Sequence, residues 1–383
     1  MPSRSGWSHW PSSGLPGTLL EMRIAIACAV AALATYLLTP LAIKVALKTG
    51  FVDRPAGYKG HKQATPYLGG CAITIGVLAG TAVGGIPSRY ALLVACAALV
   101  WVLGTVDDKV SLPIIVRVGV EVAIGIGLSA SGLGWTVFHQ SIADGALSVL
   151  WVLGVMNAFN LMDNMDGASA TVAGVSAMGA GTLALIAGRP GLAPLCFATA
   201  GACAGFLPRN LANPARIFMG DGGSLPLGLL VSGATMSAVN RNYLGPSGVV
   251  IAALLVGLVI LDTTLVTISR SRAGRSVLSG GRDHLTHRLV NRVGTPRRVA
   301  LTLATVQLAV CGITIAVAQA GTGWVLLAGG FAVAVGGVLI WQFESSPIFR
   351  PDVVTEDGPA ASQTATASVV PEPQGPRGSL AVP

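Results

Sequence analysis

Residues 147–167 read LSVLWVLGVMNAFNLMDNMDG, an apolar run that passes without a loop into Asn157, Asn160, Asp163, Asn164 and Asp166. Ionisable groups at membrane depth are costly unless paired or hydrated, so such an ending is a functional hypothesis by default. Asn160 and Asp163 are three residues apart, as are Asp163 and Asp166. They share one face if the helix continues and line a polar turn if it breaks at Asn164. The plain alternative is an Asn-capped helix junction, which leaves the paired acids without partners.

The surrounding chain has the same character. Of 383 residues, 52% are apolar and 10% charged, against roughly 25% charged in a soluble domain; mean hydropathy is +0.70. The 50 glycines follow no three-residue period, which excludes collagen, and cysteines such as Cys28, Cys71 and Cys203 lie inside apolar runs rather than in a disulfide framework. The expected class is an all-α polytopic membrane protein of about 10–11 transmembrane helices, because each crossing needs about 20 apolar residues. Eleven apolar segments are read at 22–47, 68–86, 90–106, 114–132, 143–160, 169–186, 190–206, 224–238, 247–269, 299–317 and 322–341. They form a catalytic domain over 21–345, preceded by a disordered external arm (1–20) and followed by a disordered cytoplasmic tail (346–383) rich in Pro, Ala, Thr and Ser.

Charge gives the orientation. The formal charge is +8, and 19 of the 24 basic residues are arginine. They cluster between apolar segments, which suits a membrane face and phosphate ligands rather than nucleic acid. Loops 48–67, 107–113, 161–168, 207–223 and 270–298 hold 15 basic residues, against five on the opposite side. The richer set is therefore cytoplasmic, with the N-terminus external. Asp107, Asp108, Asp163, Asp166, Asp221 and Asp262 all fall at or near segment ends on that same face.

Several other stretches carry chemistry. Asp107-Asp108 can hold a divalent ion or an attacking group, or be a solvated turn. In Phe218-Met219-Gly220-Asp221-Gly222-Gly223-Ser224, Asp221 can ligate a metal, the glycines let phosphate approach backbone N–H groups, and Ser224 can open the next helix. The loop 270–298 offers Arg270, Arg272, Arg275, Arg282 and Arg288 for phosphate oxygens, with His284 and His287 three apart and able to face one phosphate. Two histidines make a poor zinc site. Lys59 and His61, with Arg54 and Lys62, form a basic strip where an anionic lipid head group would arrive. Arg117 and Glu121, four apart, read as an internal ion pair or a lipid-phosphate contact.

In that order, these motifs resemble the polyprenyl-phosphate N-acetylhexosamine-1-phosphate transferases, in the glycosyltransferase 4 family. The resemblance spans about residues 50–290: Asp53-Arg54-Pro55 to Gly69-Gly70, Asp107-Asp108 with Leu112, Asn157 to Gly167, Asn213-Pro214-Ala215-Arg216-Ile217 into Phe218–Ser224, and Asp262 before the Arg and His loop. The stretch from His61 through Thr65-Pro66-Tyr67-Leu68-Gly69-Gly70 is similar to the branch acting on UDP-N-acetylglucosamine.

The resemblance implies transfer of a hexosamine-1-phosphate from a UDP-N-acetylhexosamine, most simply UDP-N-acetylglucosamine, onto undecaprenyl or another polyprenyl phosphate, with release of UMP. It implies Mg²⁺, with Mn²⁺ as a substitute, held by Asn160 and Asp221. Asp163 and Asp166 would form the nucleotide wall, Asp107 and Asp108 would orient or deprotonate the acceptor phosphate, and Asp262 would stand beside the site. Lys59, His61, Arg117, Arg270, Arg272, Arg282, His284, His287 and Arg288 would contact substrates, at the cytoplasmic face of the plasma membrane. A homodimer is compatible with this pattern. His284 and His287 match the first and last histidines of the family's His-x-His-His motif, while its third position is Thr286 here. The competing classes are a transporter or flippase for a lipid-linked solute, which would place charges near the bilayer midplane and show repeats, and a non-catalytic scaffold.

Overall fold

Apolar runs with no water to satisfy their backbone must close their hydrogen bonds within a helix, and this chain does so almost throughout. The computed structural model describes residues 17–54, 64–239 and 245–345. Among them the helices are α1 (Gly17–Thr49), α2 (Gly69–Gly84), α3 (Ala91–Val110), α4 (Ile114–Ala130), α5 (Ser141–Met162), α6 (Ala168–Ile186), α7 (Ala193–Asn210), α8 (Asp221–Ala238), α9 (Pro246–Leu255), α10 (Gly257–Arg272), α11 (Leu285–Val293), α12 (Pro296–Ala320) and α13 (Thr322–Ser345). Two short strands, β1 (Val52–Asp53) and β2 (Thr65–Pro66), pair antiparallel with Val52 opposite Pro66. The first helix begins at Gly17, inside the stretch read as an external arm.

Ten of the eleven apolar segments each fall on one helix and 247–269 falls on two, and the expected count of spans is corrected. Among the described residues seven helices are long and apolar enough to cross a bilayer, and eight if α9 and α10 form one span. Helices α2 and α4 have only 16 and 17 residues, short of the about 20 that a full crossing takes. The segment 247–269 is likewise not one straight span, because α9 and α10 meet at an angle of 84°.

Helix α8 is the axis of the molecule. Every residue from Gly222 to Ala238 is buried, and α3, α5 and α6 pack around it. Two of its buried hydroxyls are satisfied locally, Ser232 and Thr235 donating to the carbonyls of Leu229 and Val231, both at 2.9 Å, as buried hydroxyls in helices commonly do; the Ser237 hydroxyl has no such partner. Helices α1, α2 and α7 form a second close-packed group. There Gly201 and Gly205 of α7 lie against the carbonyls of Cys28 and Ala32 with no room for a Cβ, the small-residue contact that lets membrane helices approach. Helix α13, by contrast, buries only Val325 and Phe343.

Candidate active site

The C-terminal ends of α3 and α5, the first turn of α4 and the start of α8 meet, and the local sequence explains how. The segment before α8 is fastened to β2 and α2: Phe218 N–H donates to the Pro66 carbonyl at 2.8 Å, and the N–H groups of Gly69 and Gly70 donate to the carbonyls of Phe218 and Met219, each at 3.0 Å. Gly220 then turns the chain with φ +70°, and a Cβ there would strike the Asp108 carboxylate. Asn210 was not singled out from sequence, yet its buried carboxamide accepts from Gly167 N–H at 2.6 Å and donates to the Ile217 carbonyl at 2.9 Å. It ties the Asn157–Gly167 motif to the Asp221 loop. The signal available was an amide at the end of an apolar run.

Within this frame the predicted acids come together. Asp108 accepts from the backbone N–H groups of Asp221 at 2.9 Å and Gly222 at 3.1 Å. A carboxylate of α3 thus caps α8 and meets the positive end of its dipole. Asp107 is buried; it accepts from Leu112 N–H at 2.6 Å and from Arg117 at 3.0 Å. The same Arg117 nitrogen donates to Asp221 at 3.2 Å. Asn160 donates to the other Asp221 oxygen at 2.7 Å and to Ser224 at 3.1 Å. Ser224 lies in the first turn of α8 and donates to the Gly220 carbonyl at 3.1 Å, so the helix opens at Asp221 rather than at the serine.

Arg117 keeps the long ion pair with Glu121 that its spacing suggested and adds a bridging role that the spacing did not show. Its Nε stands 4.0 Å from Glu121, and neither of these two atoms makes a hydrogen bond. Glu121 instead accepts from Asn157 at 2.6 Å, while the guanidinium bridges Asp107 and Asp221. Two carboxylates from different helices consequently share one cationic nitrogen, with the Asn160 amide alongside. Among the described residues no three His, Cys, Asp or Glu side chains form a self-sufficient metal cage. An oxygen-only donor set of one or two carboxylates and an amide still fits Mg²⁺, which completes its shell with water and substrate phosphates.

Asp163 caps the end of α5, and Asp166 is half-buried in the turn that follows. Burial, then the charges of Asp221, Asp108 and Asp166, push the Asp163 carboxyl well above the usual carboxylate range, with a Gly220 N–H bond opposing them. A cavity of about 590 Å³ opens on the other side of the cluster, with Phe51, Tyr67, Asp107, Asp108, Arg117 and Asp221 in its wall.

The basic loop is built differently from its sequence reading. Arg270 is buried; its Nε and Nη2 donate to Asp283 at 2.7 and 2.9 Å and its Nη1 to the Val277 carbonyl at 2.8 Å. Arg288, also buried, donates to the Asp283 and Phe343 carbonyls, to Ser269 and to Glu344 at 2.7–3.0 Å. These guanidiniums spend their donors on the fold rather than on an open phosphate site. His284 does the same. Arginine can only donate, so His284 Nε2 accepts from Arg270 at 3.3 Å, and its Nδ1–H donates to Asp262 at 2.9 Å. Asp262, fully buried, also accepts from Leu285 N–H at 2.6 Å and so anchors the start of α11. His287 differs: its Nδ1 is buried with no hydrogen-bond partner. Arg282 is half-buried and Arg272 exposed. Lys59 and His61 lie outside the described residues.

Residues 90–239 match the family described as Glycosyl transferase family 4. The probable undecaprenyl-phosphate N-acetylglucosaminyl 1-phosphate transferase of Bacillus subtilis is 33% identical over 283 residues, covering 70% of this chain and 78% of the relative. The chain belongs to glycosyl transferase family 4. The decaprenyl-phosphate N-acetylglucosaminephosphotransferase of Mycolicibacterium smegmatis, 30% identical over 328 residues, covers 73% of the chain and 78% of itself. The undecaprenyl-phosphate alpha-N-acetylglucosaminyl 1-phosphate transferase of Escherichia coli K12, 30% identical over 304 residues, covers 74% and 82%. The matched family 4 stretch contains the whole acidic cluster from Asp107 to Asp221, whereas Asp262 and α11 lie beyond it.

Proposed function

We propose that this family 4 protein transfers N-acetylglucosamine-1-phosphate from UDP-N-acetylglucosamine to a polyprenyl phosphate of the undecaprenyl type, releasing UMP at the cytoplasmic face and starting a lipid-linked cell-envelope polysaccharide. The observation that carries the reading is the convergence of Asp107, Asp108, Arg117, Asn160 and Asp221 from four helices into one hydrogen-bonded cluster. The donor and acceptor named for the three relatives support the choice of substrates.

In the transfer, an oxygen of the acceptor phosphate bonds to the sugar-bearing phosphorus of the donor. The bond from that phosphorus to the bridging oxygen breaks, and the electron pair leaves with UMP. Asp221 and Asn160 would hold Mg²⁺ or Mn²⁺, which when bound neutralises diphosphate charge and polarises phosphorus. Asp107, fixed by Leu112 N–H and Arg117, orients the acceptor phosphate or takes its remaining proton. Arg117 covers negative charge as it shifts between the two phosphates. Asp108 holds the N-terminus of α8, and with it Asp221, in place. UMP is a tolerable leaving group, so no histidine has to protonate it. The excess of basic residues in the loops on the side of the acids supports a site open to cytosolic nucleotide sugar, with the isoprenoid tail along the apolar helices.

A purified-protein panel of UDP-N-acetylglucosamine, UDP-N-acetylgalactosamine and UDP-muramyl pentapeptide, each with polyprenyl phosphate and Mg²⁺, tests this reading by product mass. A polyprenyl-diphosphate-N-acetylglucosamine product with one UMP per turnover supports it; a product from another donor alone refutes it.

A further inference from the structure

Two hydrogen-bonded networks stand on either side of the Asp163–Asp166 turn. One is the acidic cluster of α3, α4, α5 and α8. The other ties α10, α11 and α13 together through Asp262, Arg270, Asp283, His284 and Arg288. Thr286 lies where they meet. It is fully buried, and its hydroxyl donates to the Asn164 carboxamide oxygen across 122 residues of sequence. Asn164 is fixed at its other end, since its amide nitrogen donates to the Leu161 carbonyl at 2.6 Å. It stands directly after Asp163 and two residues before Asp166. On the other side, Thr286 sits between His284, whose ring nitrogens are both engaged within the fold, and His287, whose Nδ1 has no partner.

The geometry points to Thr286 as a positioning residue: its hydrogen bond to Asn164 sets the Asp163–Asp166 turn in register with His287, so that the acidic cluster and α11 face one substrate together. Three features of the seam give Thr286 this role. A hydroxyl buried at this seam must find an acceptor or leave both groups unpaired. The acceptor belongs to the turn that carries two candidate site carboxylates. Its neighbours on α11 are held separately, His284 and Leu285 by Asp262 and Arg288 by α10 and α13, so the Thr286 bond is not needed to form the helix. It sets where the helix stands relative to the turn. Displacements of about 1 Å at such a seam can cost up to about 100-fold in rate. A histidine here, as in the resembling motif, would place a bulkier ring into the same buried space.

The inference rests on the proposed transferase reading for its kinetic part, and one measurement is independent of it. Thr286→Val removes the hydroxyl while keeping the shape; Thr286→Ser keeps the hydroxyl; Asn164→Ala removes the acceptor. Expected for Thr286→Val is a loss of about 10-fold in kcat/KM for the UDP-sugar, with Thr286→Ser within about 2-fold of the parent. The double variant Thr286→Val/Asn164→Ala should lose no more than the worse single one, because both break the same bond. Hydrogen–deuterium exchange should rise in 163–168 for Thr286→Val and Asn164→Ala, not for Thr286→Ser, with α12 unchanged as control. Parental kcat/KM in Thr286→Val, additive losses in the double variant, or Thr286→Ser as impaired as Thr286→Val would overturn the inference. If the parent releases no UMP from any donor, the transferase reading falls and the exchange pattern alone decides: unchanged exchange in 163–168 refutes the positioning role. Should Thr286→Val not be recoverable, Asn164→Ala against Thr286→Ser gives the same comparison.

Discussion

Arg288 illustrates how far a residue's chemistry depends on where its donors point. Read in sequence it is one of eight arginines in a loop suited to phosphate; in the fold it joins α11 to Ser269 of α10 and to Phe343 and Glu344 of α13. Arg288 is buried while Glu344 is partly exposed, so removing the guanidinium chiefly leaves the buried acceptors it serves unpaired, at about 1–3 kcal/mol. Arg288→Ala should therefore lower the melting temperature of the purified protein markedly, and donor affinity in the fraction that remains folded should be close to parental; a loss of affinity at unchanged stability would contradict the structural role. His287 gives a pH signature. Burial, then the neighbouring His284 and Arg282, lower its imidazole from 6.5 to about 4, against the opposing carboxylates of Asp262 and Asp283. Between these values the folded chain binds fewer protons than the unfolded one, so this contribution to stability is complete above pH 6.5 and is lost as pH falls towards 4. Melting curves between pH 7.5 and 4 should fall more steeply for the parent than for His287→Gln; parallel curves would rule the assignment out.

At the scale of elements, hydropathy located the helices closely: the segment 169–186 lies on Ala168–Ile186 and 322–341 on Thr322–Ser345. What it could not reveal was how each element sits. A run of apolar residues reads alike whether straight or bent, and a single glycine such as Gly257 is too common to mark the break between α9 and α10. The break is legible only across the fold, where Gln307 of α12, fully buried, donates to the Leu255 carbonyl at 2.8 Å and takes up the acceptor that the bend releases. Gln307→Leu leaves that carbonyl unpaired and should destabilise the protein by about 1–3 kcal/mol, measured by thermal unfolding in detergent; a neutral or stabilising substitution would mean that the bend needs no such partner. The short helices α2 and α4 escaped for a related reason. Their apolar character is that of a span, but their length is not.

For the whole molecule, the positions of the acids at segment ends predicted that distant stretches would meet, and Asp107, Asp108, Asn160, Asp163 and Asp221 do so. The individual pairings were not legible, because capping of α8 by Asp108 and bridging by Arg117 depend on the angle at which four helices converge. The roles of Arg270, Arg288 and His284 were hidden for the same reason: their partners lie on other elements, and charge clustering in a loop does not distinguish a solvated patch from a buried network. The central claim is that the cluster around Asp221 is one catalytic pocket. It is tested most directly by UMP release from UDP-N-acetylglucosamine in purified protein, with polyprenyl phosphate and titrated Mg²⁺, comparing the parent with Asp221→Asn. The parent should release UMP only when acceptor and cation are both present, and Asp221→Asn should lose at least about 100-fold at an unchanged melting temperature; release by Asp221→Asn at the parental rate means that the cluster is not the catalytic site.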